Sequence, residues 1–252
     1  YLEPGHGKAK QGYMWATRGL DGDVAYHWRS GRSSDDLGTI VPGTFSGTLQ
    51  ADGWQAYPAL RKKREEPITL AGCWAHARRG FHEALDTGEH KTQCAWMLRQ
   101  IQHLYEIERR LRGGRAGPRL RQTIRESESL PILRRIKTSA KLFQARHRIT
   151  PSSRLGKALA YLLNQWDPLM VPFRDGRLDI DNNGVENAIR PSAVGKKNWL
   201  FIGAKDAGRK SAILYSLIIS CRNHGVEPRA YIKYLIDTLP TLTNQQIKDV
   251  TP

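Results

Sequence analysis

The sequence has little cysteine, no long apolar run and a shortage of acid. Its three cysteines, Cys73, Cys94 and Cys221, are odd in number and irregular in spacing, which excludes a disulfide framework. No apolar stretch approaches the roughly 18–20 residues that a membrane-spanning helix needs. The chain opens at Tyr1 without the basic-then-apolar pattern of a secretion signal, so nothing in it points out of the cytoplasm. No internal repeat is visible. What is present is core-forming material: 39% hydrophobic residues, with 7 Trp and 9 Tyr among 252 residues, excludes wholesale disorder.

The shortage of acid is uneven. Against 40 Lys and Arg stand 24 Asp and Glu, a formal charge of +16. Residues 1–56 carry 5 basic and 6 acidic side chains, residues 57–150 carry 21 and 9, and residues 151–252 carry 14 and 9. The excess therefore sits in the middle of the chain. Such a surplus either meets a polyanion, because Lys and Arg neutralise phosphates and release their counterions, or forms a solvated surface.

Local pattern predicts a mixed α/β chain. Tyr13–Thr17 and Val24–Trp28 are short, aromatic and β-prone, and the Gly19–Asp23 turn joins them into a hairpin. Ser33 or Ser34 is placed to cap a short helix that has Asp35 and Asp36 in its first turn. Thr48–Asp52 reads as a strand ending at an acid, Trp54–Arg61 as a short helix, and Ile68–Trp74 as another strand. From about Ala75 to Phe173 the period becomes helical. One helix runs through Leu98, Ile101, Tyr105 and Leu111 and ends at Gly113-Gly114, further helix lies around Pro131, and another is capped by Ser152 or Ser153. A helix is predicted from Gly184, a short strand at Trp199–Ile202, a helix over Ala212–His224 closed by Gly225, and a last one from Pro228.

Two acids stand out, 134 residues apart. Asp52 falls at a strand end, where a fold can present a carboxylate, although Asp before Gly is also ordinary turn chemistry. Glu186 falls in the first turn of a helix. If Asn183 is the N-cap, Glu186 occupies the third helical position and can cap the helix itself, and it is spaced to pair with Arg190. The alternative is metal chemistry: phosphoryl transfer on DNA uses converging carboxylates on a pair of divalent ions about 4 Å apart. Cys73-Trp74-Ala75-His76 is a weak zinc half-site with no matching second pair; Cys94 and His90 do not complete it. His76 with Arg78 and Arg79 is equally placed to contact phosphate, or Cys73 and His76 are simply packed. Lys196 and Lys197 before Trp199 can grip a nucleic-acid backbone and stack a base, or Trp199 belongs to the core.

Several blocks occur together in order: Pro4-Gly5-His6-Gly7-Lys8 with Gly12–Trp15; Leu49-Gln50-Ala51-Asp52-Gly53-Trp54 with Tyr57; Cys73–Arg79 with Phe81; Asp175-Gly176-Arg177-Leu178; Asp181-Asn182-Asn183 with Glu186 and Arg190-Pro191; and Gly195–Phe201. The segment from Tyr215 through Gly225, Pro228 and Tyr231 follows them. In these blocks, over nearly its whole length, the chain resembles the transposases of the insertion-sequence sixty-six family.

The resemblance implies a DDE-type transposase: an α/β protein with a ribonuclease-H-like core and a mostly α-helical insertion between the second and third catalytic acids. Asp52 matches the second acid and Glu186 the third, both as ligands of Mg²⁺ or Mn²⁺. On this match residues 1–74 form the first part of the core, 75–173 the insertion, 174–211 the rest of the core with the Glu186 helix, and 212–252 a helical tail. The implied reaction is metal-assisted hydrolysis at a transposon end, followed by attack of the freed 3′-OH on target DNA. His76, Arg78, Arg79, Arg190, Lys196, Lys197 and Trp199 are then candidate DNA contacts, with Arg109 and Arg110 added by charge alone. The implied partners are transposon-end and target DNA and further copies of the chain in a synaptic complex, with no membrane, in the bacterial cytoplasm. In the family the first catalytic Asp lies just upstream of the segment matching Tyr1–Lys8, and Asp21, Asp23, Asp35 and Asp36 stand in no matching motif. Residues 1–252 alone are therefore expected to be inactive or nearly so, and the full-length parent active. The rival expectations are a related nuclease that cuts without joining and a non-catalytic DNA-binding remnant. An RNA-binding protein ranks below both, because the stacking motifs of the common modules are missing.

Overall fold

Alternating aromatic and polar residues build the hairpin that the sequence predicts. Tyr13–Arg18 (β1) pairs antiparallel with Val24–Arg29 (β2), from Tyr13 opposite Arg29 to Arg18 opposite Val24. The computed structural model describes all residues except 4, 6, 146–148, 251 and 252, and the side chain of residue 249. Pro4 and His6 of the first matching block thus lie outside the described residues. Packing divides the chain into two compact units, Tyr1–Pro42 with Asn183–Pro252, and Gly43–Asn182.

In the first unit β2 is covered along its outer edge by α10 (Lys205–Asn223), which follows α9 (Asn183–Trp199) and precedes α11 (Pro228–Thr238). Val24, Tyr26, Ala188, Ala212 and Ile219 form its apolar core. Helix hydroxyls complete the strand edge. The Val24 N–H donates to Ser220 Oγ at 3.1 Å, the Tyr26 N–H to Ser216 Oγ at 2.8 Å, and Ser220 Oγ donates back to the Val24 carbonyl. An edge strand whose amides are taken in this way is closed to pairing with other chains. Gly208 makes the close approach possible, because a Cβ there would fall within the Trp28 ring.

Ser33 caps the short helix α1 (Ser34–Gly38). Its hydroxyl accepts from the Asp36 N–H at 3.1 Å while its own N–H donates to Asp36 Oδ2 at 2.9 Å. The Ser33 hydroxyl, donating to Asp36 Oδ2 at 2.6 Å, and then the Ser33 N–H hold the Asp36 carboxyl below its ordinary pKa. Ser33→Ala is expected to lower stability by about 1 kcal/mol, read as a lower urea midpoint with an unchanged slope.

The C-terminal part differs from the sequence expectation at one strand and at two helix starts, the helix expected from Ala212 beginning at Lys205. Trp199–Ile202 is not a strand: Trp199 closes α9, and positive φ at Leu200 (58°) and Gly203 (81°) turns the chain into α10, which starts at Lys205. Helix α9 also begins at Asn183 itself, so Glu186 is the fourth helical residue, not the third.

The second unit is mostly helix around a small parallel sheet. Gly47–Gln50 (β3) pairs with Ile68–Ala71 (β4), and Ala56–Lys62 (α2) provides the crossover that parallel strands need. Strand β3 stops two residues short of Asp52. The helices are α3 (Trp74–Asp86), α4 (Lys91–Gly113), α5 (Pro118–Ile124), α6 (Leu130–Gln144), α7 (Arg154–Asn164) and α8 (Trp166–Arg174). A π-helical turn, Arg125–Ser129, joins α5 to α6. Cys94, Met97, Ile101, Leu104 and Leu111 make one stripe of α4, and they meet Trp74 and Phe81 of α3, Leu133 and Ile136 of α6, and Leu159 and Leu162 of α7. Each such side chain contributes about 1.5–3 kcal/mol on burial.

One charge is sealed in this core. Arg125, at the π turn, is fully buried and forks onto Glu108, with both bonds at 2.7 Å. Its remaining N–H groups donate to the carbonyls of Pro172, Asp175 and Leu178, so all five donors are used. Arg121 adds bonds to the Leu178 carbonyl and Asp179. Gly176 fits beneath because a Cβ would fall on the Pro118 carbonyl oxygen. The Asp175–Leu178 block is thereby fastened to the helices.

Candidate active site

The parallel strands end in the residues that the sequence singles out. Beyond β3, the Ala51 N–H still reaches the Ala71 carbonyl, and the chain then turns at Asp52. Asp52 Oδ1 accepts from the Trp54 N–H at 3.0 Å, Gly53 takes φ +84°, and the Tyr161 hydroxyl donates to the Asp52 carbonyl at 2.9 Å. The turn reading of Asp52 is correct, and the carboxylate is nevertheless exposed. Turn chemistry here engages Oδ1 while the residue stays exposed.

Strand β4 leads to Gly72, whose N–H bonds the Pro168 carbonyl, then to the fully buried Cys73 and the start of α3, where the Trp74 N–H bonds the Ile180 carbonyl at 3.0 Å. Gln50 ties these pieces together, donating to the carbonyls of Gly72 and Asp179. Asp181 follows, 8% exposed. The Asp52, Cys73 and Asp181 blocks thus meet at the carboxyl end of one parallel strand pair, where α/β folds place their sites.

Tyrosines line this end. Burial pushes Tyr57 up to about 12, with the Asp52 carboxylate adding to it. Tyr161 is also raised to about 12, by burial first, then by Cys73 and Asp52. Tyr105 is raised further still by burial and the neighbouring Asp181, against an opposing effect of Arg78. All three remain protonated donors at neutral pH. Burial also raises the Cys73 thiol, more than the amides of Asn182, His76 and Ala75 lower it. Cys73 is thus a buried thiol at the start of α3, in the environment typical of a structural cysteine.

His76 and Arg78 stand half-buried in the first turns of α3, and Arg79 is exposed beside them. Arg110 is exposed and pairs with Glu128 at 2.6 Å. Glu186, Arg190, Lys196, Lys197 and Trp199 all lie along α9 in the other unit. Glu186 is half-buried there, and the basic residues are exposed. Trp199 is 46% exposed, so it is not core; it tilts against Tyr215 at 6.4 Å and folds over Gly195. Arg18 packs against Gly184, two residues before Glu186, a basic neighbour that sequence spacing gave no sign of. Asp181, Tyr105 and Tyr161 were also not foreseen as site residues. The oxygen donors suit a hard divalent cation, although among the described residues no three His, Cys, Asp or Glu side chains are gathered as a metal cluster.

The chain matches the model of the transposase IS66 family over residues 1–210, and it belongs to that family. Two proteins of Sinorhizobium fredii (strain NBRC 101917 / NGR234) are similar to it. One, "Uncharacterized protein y4qI", is 34% identical over 244 residues, covering 90% of this chain and 43% of the relative. The other, "Uncharacterized protein y4jD", is 31% identical over 266 aligned residues, covering 100% of this chain and 51% of the relative. The chain thus spans about half the length of these relatives. No solved structure matches. Among the described residues no helix is long and apolar enough to cross a membrane.

Proposed function

We propose that the full-length protein is a DDE-type DNA transposase in which Asp52 and Glu186 are two of the catalytic acids. The observation that carries this is the exposed Asp52 carboxylate at the carboxyl end of the β3–β4 pair, inside the family match. A ribonuclease-H-like core is the fold that goes with it. Such a core has an antiparallel strand pair and a parallel strand pair, and β1–β2 and β3–β4 are one of each. Among the described residues no strand pairs along the other edge of β1 or of β3.

Asp52 and Glu186 would hold Mg²⁺ or Mn²⁺, which when bound supplies activation of the attacking oxygen and stabilisation of the leaving oxygen. The protein's own part is positional. The Trp54 amide and the Tyr161 hydroxyl fix the Asp52 turn, and Arg78, Arg79, Arg190, Lys196 and Lys197 hold phosphates. The substrate is transposon-end DNA, the acceptor is target DNA, and two ends need more than one copy of the protein.

The test is to incubate the full-length protein with Mg²⁺, a duplex ending in the element's terminal repeat, and a target plasmid. End cleavage and end-to-target joining are both expected. Cleavage without joined product would make the protein a nuclease, and duplex binding without either would make it a DNA-binding remnant; both outcomes overturn the proposal.

A further inference from the structure

The helical part of the second unit contains a cleft of about 610 Å³ that none of the matching sequence blocks explains. Its walls follow helical spacing. Leu133, Arg134 and Lys137 come from one face of α6, and Trp166, Met170, Phe173 and Arg174 from one face of α8. The floor is apolar and rigid, since the Trp166 and Phe173 rings both stand edge-on to the buried Trp74, with centroids 6.2 and 5.9 Å away.

The rim is cationic. Lys137 Nζ lies 5.2 Å over the Trp166 ring, and Arg134 and Arg174 are exposed, with no ion pair among the described residues. On the opposite rim Gln122 donates to Glu126 at 3.0 Å, which sets an amide and a carboxylate side by side. An apolar cleft with cations for phosphate and a donor–acceptor pair on its rim has the elements that recognise a nucleotide whose base is not paired. A duplex keeps its base faces stacked inside, so none can enter such a cleft. The volume lies within the range of small-ligand sites, and the unit as a whole holds 25 basic against 14 acidic residues.

We infer that this cleft binds an unpaired nucleotide of single-stranded DNA, with the base in the cleft against Trp166 and Met170 and the phosphates on Arg134, Lys137 and Arg174. The choice of DNA rests on the proposed function; the cleft and its chemistry do not.

The experiment measures binding of the chain to a fluorescent single-stranded oligonucleotide and to the matching duplex, over a range of salt. The triple substitution Arg134→Gln, Lys137→Gln, Arg174→Gln is expected to weaken single-strand binding at least tenfold. It should also reduce the log–log salt slope by about 2, as for three lost phosphate contacts, while duplex affinity changes less than threefold. The control Arg112→Gln, Arg115→Gln, Arg119→Gln removes equal charge from exposed positions and should leave the single-strand preference intact. Equal losses for strand and duplex, or an effect of the control as large as that of the cleft variant, overturn the inference. In the unsubstituted chain, an oligonucleotide carrying 5-iodouracil should photocrosslink within α6 or α8, and crosslinks confined to other segments also overturn it. If the cleft binds single strands but the full-length protein neither cuts nor joins, the cleft stands and the transposase proposal falls. If cutting and joining occur and the cleft variant binds normally, the cleft alone falls.

Discussion

Asp52→Asn in the full-length protein is expected to reduce end cleavage by about a thousandfold or more, while end binding stays within about threefold; losses of two to three orders of magnitude accompany removal of single transition-state-stabilising groups. The substitution isolates chemistry from folding. Asn keeps an oxygen to accept the Trp54 N–H, Gly53 keeps its φ of +84°, and the bond from Tyr161 goes to a backbone carbonyl that does not change. Only the negative charge at an exposed position is lost. Gel assays of cleavage, paired with a thermal melt and a binding titration, separate these effects. Cleavage at the unsubstituted rate would end the assignment of Asp52, and Glu186→Gln, judged by the same three readouts, examines the other acid.

The largest effect on stability is expected from Arg125→Met. This leaves Glu108, 1% exposed, with only the longer contact to Arg121 at 3.4 Å, and takes Arg125's donors from the Pro172 and Asp175 carbonyls, while the Leu178 carbonyl keeps its bond from Arg121. Breaking one side of a buried ion pair costs about 3–5 kcal/mol, roughly 10 °C in the melting midpoint of a unit of this size. Adding Glu108→Leu removes the poorly compensated charge and should recover a large part of the loss, although the Pro172 and Asp175 carbonyls still lack Arg125's donors. If the single and double variants melt together with the unsubstituted chain, the pair carries none of the stability assigned to it. The same clamp holds the chain from Asp175 to Leu178, directly before Asp181, so the single variant should also loosen that end of the strand pair.

Local signals carried the local structure. The turn between Gly19 and Asp23, the Ser33 cap and the Gly113-Gly114 stop were readable because each depends on a few neighbouring residues. The strand expected at Trp199–Ile202 failed because an apolar run at a helix end looks the same as a short strand, and the positive φ at Leu200, a β-averse conformation for leucine, leaves no mark in the sequence. Asp52 is legible as an acid near a strand end, but not that turn chemistry and exposure, alternatives on sequence grounds, occur together there. Tyr105, Tyr161 and Asp181 reach the strand ends from distant segments, and no periodicity links them. Nor does an apolar pattern reveal Arg125, since hydrophobic spacing passes over a charge even when that charge is the centre of the core.

The serines of α10 that close the edge of β2 come some 190 residues after it in the chain. At about 5–20 residues per second of synthesis, a nascent hairpin emerges from the ribosome and waits roughly 10–40 s for the helix that completes it. Two strands alone are marginal in water, and these carry Trp15, Tyr26 and Trp28. During that interval the aromatic ribbon is exposed to chaperones and to other ribbons on the same polysome. Yield of folded protein should therefore depend on translation speed and growth temperature more than the finished unit's stability would indicate.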